Sequence, residues 1–314
     1  MSNKQRLEEL QKHNETRWSK RGIGIIDDTL VLKTGKKIPF AGKFYDHSDG
    51  KYVHAINLLT LNYADKKVNY SVDFEIYNKK DQTEEEEFKT KIQFAIELIK
   101  NSKMPVNTFV FDSWYTCEDI KNCIEEQSKF WIGACKSNLL IQVLSNKFVS
   151  LAEYEEINKD KFVDYEINGK RYSVFTKTVS MKSLGRVRII IISRDSEGVI
   201  YLATNRREHF RHAFSDYMLR WKVEAFYKDS KQHLGLGNCQ IRNPDGIAKH
   251  FTMVFLSHPI LRLGVAENKL LATIGRNRKL IILEILERFV YWVLERGESA
   301  MKELETVLLK YRQS

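Results

Sequence analysis

Cysteine is scarce in this 314-residue chain: Cys117, Cys123, Cys135 and Cys239 are the whole supply. They form no CxxC pair and no zinc-ligand spacing with the eight histidines, which argues against a disulfide framework and a zinc centre. They are expected as free thiols in a core or on helix faces, in a reducing cytoplasm. Long apolar runs are missing as well. No stretch approaches the ~18 residues that a bilayer span requires, and the N-terminus is polar, with no apolar leader segment. A cytoplasmic protein with no membrane partner is therefore expected. The basic turn Lys33-Thr-Gly-Lys-Lys37 lacks the GxxxxGK[ST] spacing, which excludes a P-loop there. No internal repeat is visible.

What is present is ordinary in amount and uneven in placement. The chain is 43% hydrophobic and 29% charged, long enough for one large domain or two modest ones. Its net charge is +10, and between Asn205 and Lys279 there are 14 Lys and Arg against 6 Asp and Glu. A cationic excess concentrated in one stretch suits a polyanionic partner better than a basic average would.

Met1 to Lys20 reads as a polar helix anchored by Leu7 and Leu10. Gly22 to Ile26 is a buried strand expected to end at Asp27-Asp28-Thr29. Tyr52 to Tyr63 and Val68 to Tyr77 are strands parted by the turn Ala64-Asp-Lys-Lys67, so the first three strands are expected as an antiparallel meander. Glu84 to Glu87 is expected to open a helix continuing to Ile99, its acids complementing the helix dipole. Val106 to Phe111 is a short strand ending at Asp112-Ser-Trp-Tyr115, followed by a helix from about Glu118 to Gln127 and a strand from Phe130 to Cys135. From Leu139 to Asn205 the texture is β-rich, with strands at Phe162–Ile167, Tyr172–Thr176, Val187–Ile192 and Val199–Ala203. Asn168-Gly169 and Asp195-Ser-Glu-Gly198 supply turns. Helices follow at Ile247–Leu263, and a pair, Lys279–Glu295 and Glu298–Tyr311, closes around Gly297.

Two acids directly after an aliphatic strand fit either strand-end turn chemistry or a functional pair. Asp112 fits either a cap near the next helix or a ligand position, since α/β folds bind at the carboxyl ends of strands. The densest pattern runs from Tyr217 through Arg220, Trp221 and Glu224 to Lys231, without Gly or Pro. As one continuous helix it spans about 21 Å and places Tyr217, Arg220, Glu224 and Lys231 within an arc of roughly 60°. Leu219, Val223 and Phe226 gather on the other side. Arg220 and Glu224, at i,i+4, fit an ordinary surface ion pair. A lone acid between two cations equally suits a site that binds a metal and a phosphate chain together.

The spacing Tyr-(2)-Arg-(3)-Glu-(6)-Lys, with Trp221 after the Arg, resembles the signature of a large group of bacterial insertion-sequence transposases of the DDE type. Asp27-Asp28-Thr29 resembles their first-acid motif, where the catalytic Asp commonly stands two residues before a Thr, which selects Asp27 over Asp28. Asp112-Ser-Trp-Tyr115 resembles their second-acid motif, and Lys136-Ser-Asn138 the Lys/Asn pattern after the next strand. The resemblance covers about Gly22 to Leu263.

The resemblance implies an α/β fold with an RNase H-like mixed sheet flanked by helices, a β-rich insertion between the second Asp and the Glu, and a helical C-terminus. On this chain it implies an N-terminal helical remnant over 1–21 and the first part of the core over 22–137. The insertion then takes 138–205, the remaining core with the signature helix 206–265, and the C-terminal helices 266–314. Asp27, Asp112 and Glu224 are implied as the catalytic residues and as ligands of two Mg²⁺ (or Mn²⁺) ions. Such ions favour carboxylate oxygen and, roughly 3.5–4 Å apart, serve in-line displacement at phosphorus. Tyr217, Arg220, Trp221 and Lys231 are implied as DNA-binding, with Arg206, Arg207 and Arg211 making non-specific phosphate contacts. The implied partners are double-stranded DNA, as transposon ends and target, and a second copy in a homodimeric synaptic complex. Family members usually carry a helical end-binding domain before the first Asp, here at position 27, so specific end recognition is not expected. A catalytically silent DNA-binding remnant and an RNase H-like metal-dependent nuclease are the alternative readings.

Overall fold

The computed structural model describes residues 3–82, 88–194, 198–267 and 273–312. It opens with helix α1 (Asn3–Lys12), which buries Leu10 and, unexpectedly for a polar helix, Arg6. The Arg6 guanidinium donates to the carbonyls of Ser71 and Val72 and to Asn3 Oδ1. Burial pushes its pKa down to about 10. A cation can be buried there because strand carbonyls supply the acceptors that water would otherwise supply.

Strands β1 (Ile23–Leu32), β2 (Gly42–Asp46), β3 (Lys51–Ala64) and β4 (Asn69–Tyr77) come next. β1 and β4 both pair antiparallel with β3, as the meander predicts. β2 is an additional strand along the first part of β3. β1 also runs further than its aliphatic start suggests. Asp27 to Leu32 pair with Thr60 to Ala55 of β3, and this ladder carries the strand through the acids instead of ending at them.

Helix α2 (Lys91–Asn101) starts later than the acidic run implied. Thr90 and Gln93 form a reciprocal capping box, which satisfies two of the amide donors left open at a helix start. Glu84 to Glu87 lie outside the described residues. After α2 come β5 (Thr108–Phe111), α3 (Glu118–Glu126) and β6 (Phe130–Ala134), with β5 parallel to both β1 and β6. The order β4-β3-β1-β5-β6, antiparallel only at β3, is an RNase H-like arrangement.

The segment between β6 and the signature region contains β7 (Leu140–Leu144), β8 (Lys147–Ser150), helix α4 (Leu151–Ile157), β9 (Val163–Ile167), β10 (Lys170–Met181), β11 (Gly185–Arg194) and β12 (Gly198–Thr204). β12 pairs antiparallel with β6, so these strands continue the core sheet. α4 is a helix within the expected β-rich texture, opened by the capping box Ser150/Glu153. Asn168 and Gly169 both take positive φ, as a tight hairpin turn requires. Residues 195–197 of the expected second turn lie outside the described residues.

Helices α5 (Phe210–Met218), α6 (Trp221–His233) and α7 (Pro244–Glu267) follow. The helix expected to run unbroken from Tyr217 to Lys231 is divided between α5 and α6. At the junction the bonds tighten to i→i+3, from Leu219, Arg220, Lys222 and Val223 to Asp216, Tyr217, Leu219 and Arg220. One face of the sheet packs Ala95, Leu98 and Ile99 of α2 with Ile120 and Ile124 of α3. The other packs Phe210 and Phe214 of α5, Val223 and Phe226 of α6, and Ile247, Phe251 and Phe255 of α7.

One compact unit ends at Pro259 and a second begins at Ile260. In the second, α8 (Ile274–Arg296) is capped by Thr273 and ends at Gly297, which takes φ +50° and donates its N–H to Val293. α9 (Glu298–Arg312) follows.

Candidate active site

The side-chain alternation of β1 decides what each of its two acids can meet. Ile25 belongs to the core under α5 and α6, and Ile26 to the core under α2 and α3. Successive strand residues point to opposite faces, so Asp27 falls with Ile25 and Asp28 with Ile26. The last parallel pair of β1 and β5 is Ile26 with Phe111. Asp27 and Asp112 therefore occupy the next position on the two strands, at the carboxyl end of the parallel pairing.

Asp27 is 9% exposed. Its Oδ2 accepts from Arg220 Nη1 at 3.2 Å and its Oδ1 from the Asp28 amide at 2.9 Å. Burial raises its pKa to about 7; Arg220 opposes that rise, and the charges of Asp112 and Asp28 add to it. Asp112 is also raised by burial, against the amides of Trp114 and Tyr115 that donate to its Oδ1 at 2.9 and 3.4 Å. It orders a turn ahead of α3, whose own N-cap is Cys117.

Glu224 lies in the first turn of α6 and accepts from Arg220 Nη2 at 2.9 Å. Arg220 thus links two acids from distant parts of the chain. Burial works against its charge, but Tyr217, Asp27 and Glu224 hold its pKa above the ordinary value. Its Nε–H is buried and has no acceptor among the described residues. The guanidinium carbon lies 5.9 Å from the Tyr217 ring centroid and 5.5 Å from that of Trp221. The tight α5–α6 junction brings these groups together, because residues three apart nearly eclipse in a 3₁₀ turn.

Tyr217 is buried, and burial raises its pKa although Arg220 pulls the other way. Trp221 is 53% exposed, so the ring is open to solvent rather than packed. Lys231 stands about 10 Å further along α6 than Glu224. It is exposed by surface area yet surrounded closely enough that its ammonium pKa is lowered, with Asp46 of β2 opposing. The structure joins Asp27, Arg220 and Glu224 directly and places Asp112 alongside Asp27. Lys231 stands apart.

Several contacts around the site carried no sequence signal. Tyr227, fully enclosed one turn after Glu224, shares a 2.5 Å bond with Thr60 Oγ1 and donates to the Asp27 carbonyl at 3.1 Å. Asp28 is held on the opposite face by Lys91 Nζ at 2.7 Å, Tyr115 OH at 2.6 Å and Asn57 Nδ2 at 3.0 Å. Trp114, exposed beside Asp112, has Lys91 and Lys136 ammonium groups 5.6 and 6.0 Å from its ring centroid. Arg206, expected on phosphate, is instead occupied by Asp216 and Glu208.

Among the described residues, no three His, Cys, Asp or Glu stand close enough together to hold an ion. Arg220 fills the space between Asp27 and Glu224. The donor chemistry nevertheless suits a hard divalent cation, with three carboxylates on one face and no His or Cys among them.

Residues 18–259 match the family model described as the transposase DDE domain. A curated relative from Sinorhizobium fredii, named "Putative transposase y4zB", is 21% identical over 189 residues, covering 60% of this chain and 51% of the relative. The chain thus spans about half the length of the curated relative that it matches.

Proposed function

Because the chain belongs to the transposase DDE domain family, we propose that it is the catalytic portion of an insertion-sequence transposase, cleaving DNA at element ends and joining the freed 3′ ends to target DNA. The observation that carries this reading is the meeting of Asp27 and Glu224 on Arg220, with Asp112 in the adjacent register position. Asp27, Asp112 and Glu224 are the residues that would hold two Mg²⁺ or Mn²⁺ ions. When bound, such ions supply positive charge to the attacking and leaving oxygens at phosphorus.

The chain's own groups have distinct tasks in this reading. Arg220 neutralises Asp27 and Glu224 in the metal-free protein, and its guanidinium fork would turn to a phosphate oxygen once those carboxylates hold metal. Tyr217 packs beside the guanidinium and limits where it points. The exposed rings of Trp221 and Trp114 offer flat faces to an unpaired base. Lys231 provides a point charge further along the strand. A homodimeric synaptic complex is the expected working assembly, since two ends must be held together.

The test is incubation of the full chain with end-labelled duplex in Mg²⁺ or Mn²⁺, followed by denaturing electrophoresis. Nicked and joined products, lost in Glu224→Gln, support the proposal. Nicks without joining favour the nuclease reading, and duplex binding without either favours the silent remnant.

A further inference from the structure

The face with the acids is not the only cationic surface on this chain. Two open clefts share Asn205 and Arg207, one reaching Lys20 and Arg21 and the other Arg186 and Arg188. Together they form one trough. Its place in the fold is set by strand register: Gly22 precedes β1, Thr108 begins β5, Phe130 begins β6, and Thr204 ends β12 beside Ile132. The trough therefore runs along the amino ends of the parallel strands. Asp27 and Asp112 stand at their carboxyl ends, about 13 Å away along β5.

The charge of the trough is largely uncompensated. Its two carboxylates, Glu208 and Asp216, both pair with Arg206. Among the described residues, Lys20, Arg21, Arg186 and Arg207 have no carboxylate partner, and all four are exposed. Arg188 is anchored through the Glu208 carbonyl, with its pKa lowered by burial. Arg186 and Arg188, two apart on β11, lie on the same face of the sheet. Asn205 fixes the floor by accepting from the Trp131 amide at 3.0 Å and donating to the Lys129 carbonyl at 3.1 Å.

We propose that this trough is a second DNA-binding surface, which takes the phosphate backbone of a duplex segment other than the one at Asp27, Asp112 and Glu224. An open trough lined by several unpaired cations suits an extended polyanion better than a single small anion. Arginine and lysine on a sheet rim contact phosphates without reading bases. The inference rests on the proposal that the chain acts on DNA, and it adds that the molecule grips two segments at opposite ends of its sheet.

The test uses the full chain and a duplex of about three helical turns. Arg186→Glu combined with Arg207→Glu should weaken binding at least about tenfold at physiological salt and reduce the salt slope of log Kd by about two. Lys147→Glu, an exposed cation elsewhere on the surface, should leave both unchanged. Nicking of a short duplex of about one turn should survive in the double variant, because the trough is proposed to hold a different segment from the one that is cut. Hydrogen exchange on the unaltered protein gives an independent readout: duplex should protect amides near Arg21 and at 204–208 as well as those near Arg220. If wild-type protein binds and nicks while the double variant keeps its affinity and slope, the trough is not a DNA site and this inference fails alone. Protection confined to the surroundings of Arg220 would likewise rule the trough out. If wild-type protein binds no duplex, the transposase proposal fails first.

Discussion

Asp27 and Asp28 share a peptide bond but face opposite sides of β1, and that difference makes them separable by mutation. Asp27→Asn, Asp112→Asn and Glu224→Gln are each expected to abolish metal-dependent nicking while leaving the fold intact, as scored by gel assay and circular dichroism. In the proposed site each carboxylate is a metal ligand, so losing any one removes a donor. Asp28→Asn is expected to retain nicking but to cost about 1–3 kcal/mol of stability in denaturant melts, since Lys91 and Tyr115 lose a charged partner. An inactive, fully stable Asp28→Asn would reverse the assignment. The pair of acids after an aliphatic strand was legible in the sequence, whereas the bonds that occupy Asp28 come from α2, β3 and the turn after β5, and no local pattern announces them.

The proton at Asp27 has its own signature. Its pKa is about 7 in the folded chain, against an ordinary value of 3.8. Between those values the folded chain holds a proton that the unfolded chain has released, so stability falls as pH rises through the window. Asparagine does not titrate. In chelator, the Tm of the wild type relative to Asp27→Asn should decline from pH 4 towards pH 7 and level off above it. A difference independent of pH would mean that Arg220 outweighs burial at this carboxylate.

At the scale of elements, one buried hydroxyl on α6, that of Tyr227, reaches both β1 and β3. Tyr227→Phe removes the bonds to Thr60 and to the Asp27 carbonyl. It is expected to cost about 1–2 kcal/mol in urea melts and to slow nicking by about tenfold, because misplacement of a few tenths of an ångström at Glu224 is costly. Unaltered rate with lowered stability would show that the helix is held well enough without it. The core strands and α3 were legible because their apolar runs have strand or helix period and clear turn signals. β2 was not, since Gly42–Asp46 alternates over too few residues to stand out. The onset of α2 was misplaced because Glu84 to Glu87 satisfied the charge rule for a helix start, while Thr90 and Gln93 satisfied its hydrogen bonds. α4 carried the same Ser-x-x-Glu signal inside a segment otherwise rich in strands. The α5–α6 junction has no sequence marker, since a helix without Gly or Pro gives no sign that it will tighten.

At the scale of the whole molecule, a net charge of +10 and the cations around the sheet favour backbone contacts over base reading. The expected behaviour is binding to any duplex with Kd on the order of 10⁻⁴–10⁻⁶ M at physiological salt, weakening steeply as salt increases. Nicking, likewise, should differ little between an element's end and a scrambled duplex. A preference of about a hundredfold or more for the true end would place base-reading groups on this chain.

The pairing of β12 with β6 has a further consequence, for solubility. β6 already uses one flank on β5, and its other flank receives β12 at Ile132, Gly133 and Ala134. Without that partner, a strand bearing Trp131 and Ile132 would present bare amides and carbonyls at the margin of the sheet. Such margins recruit strands from neighbouring molecules. The strands beyond β6 therefore act as a built-in guard against self-association, and trimming them away to obtain a minimal catalytic fragment would yield aggregates.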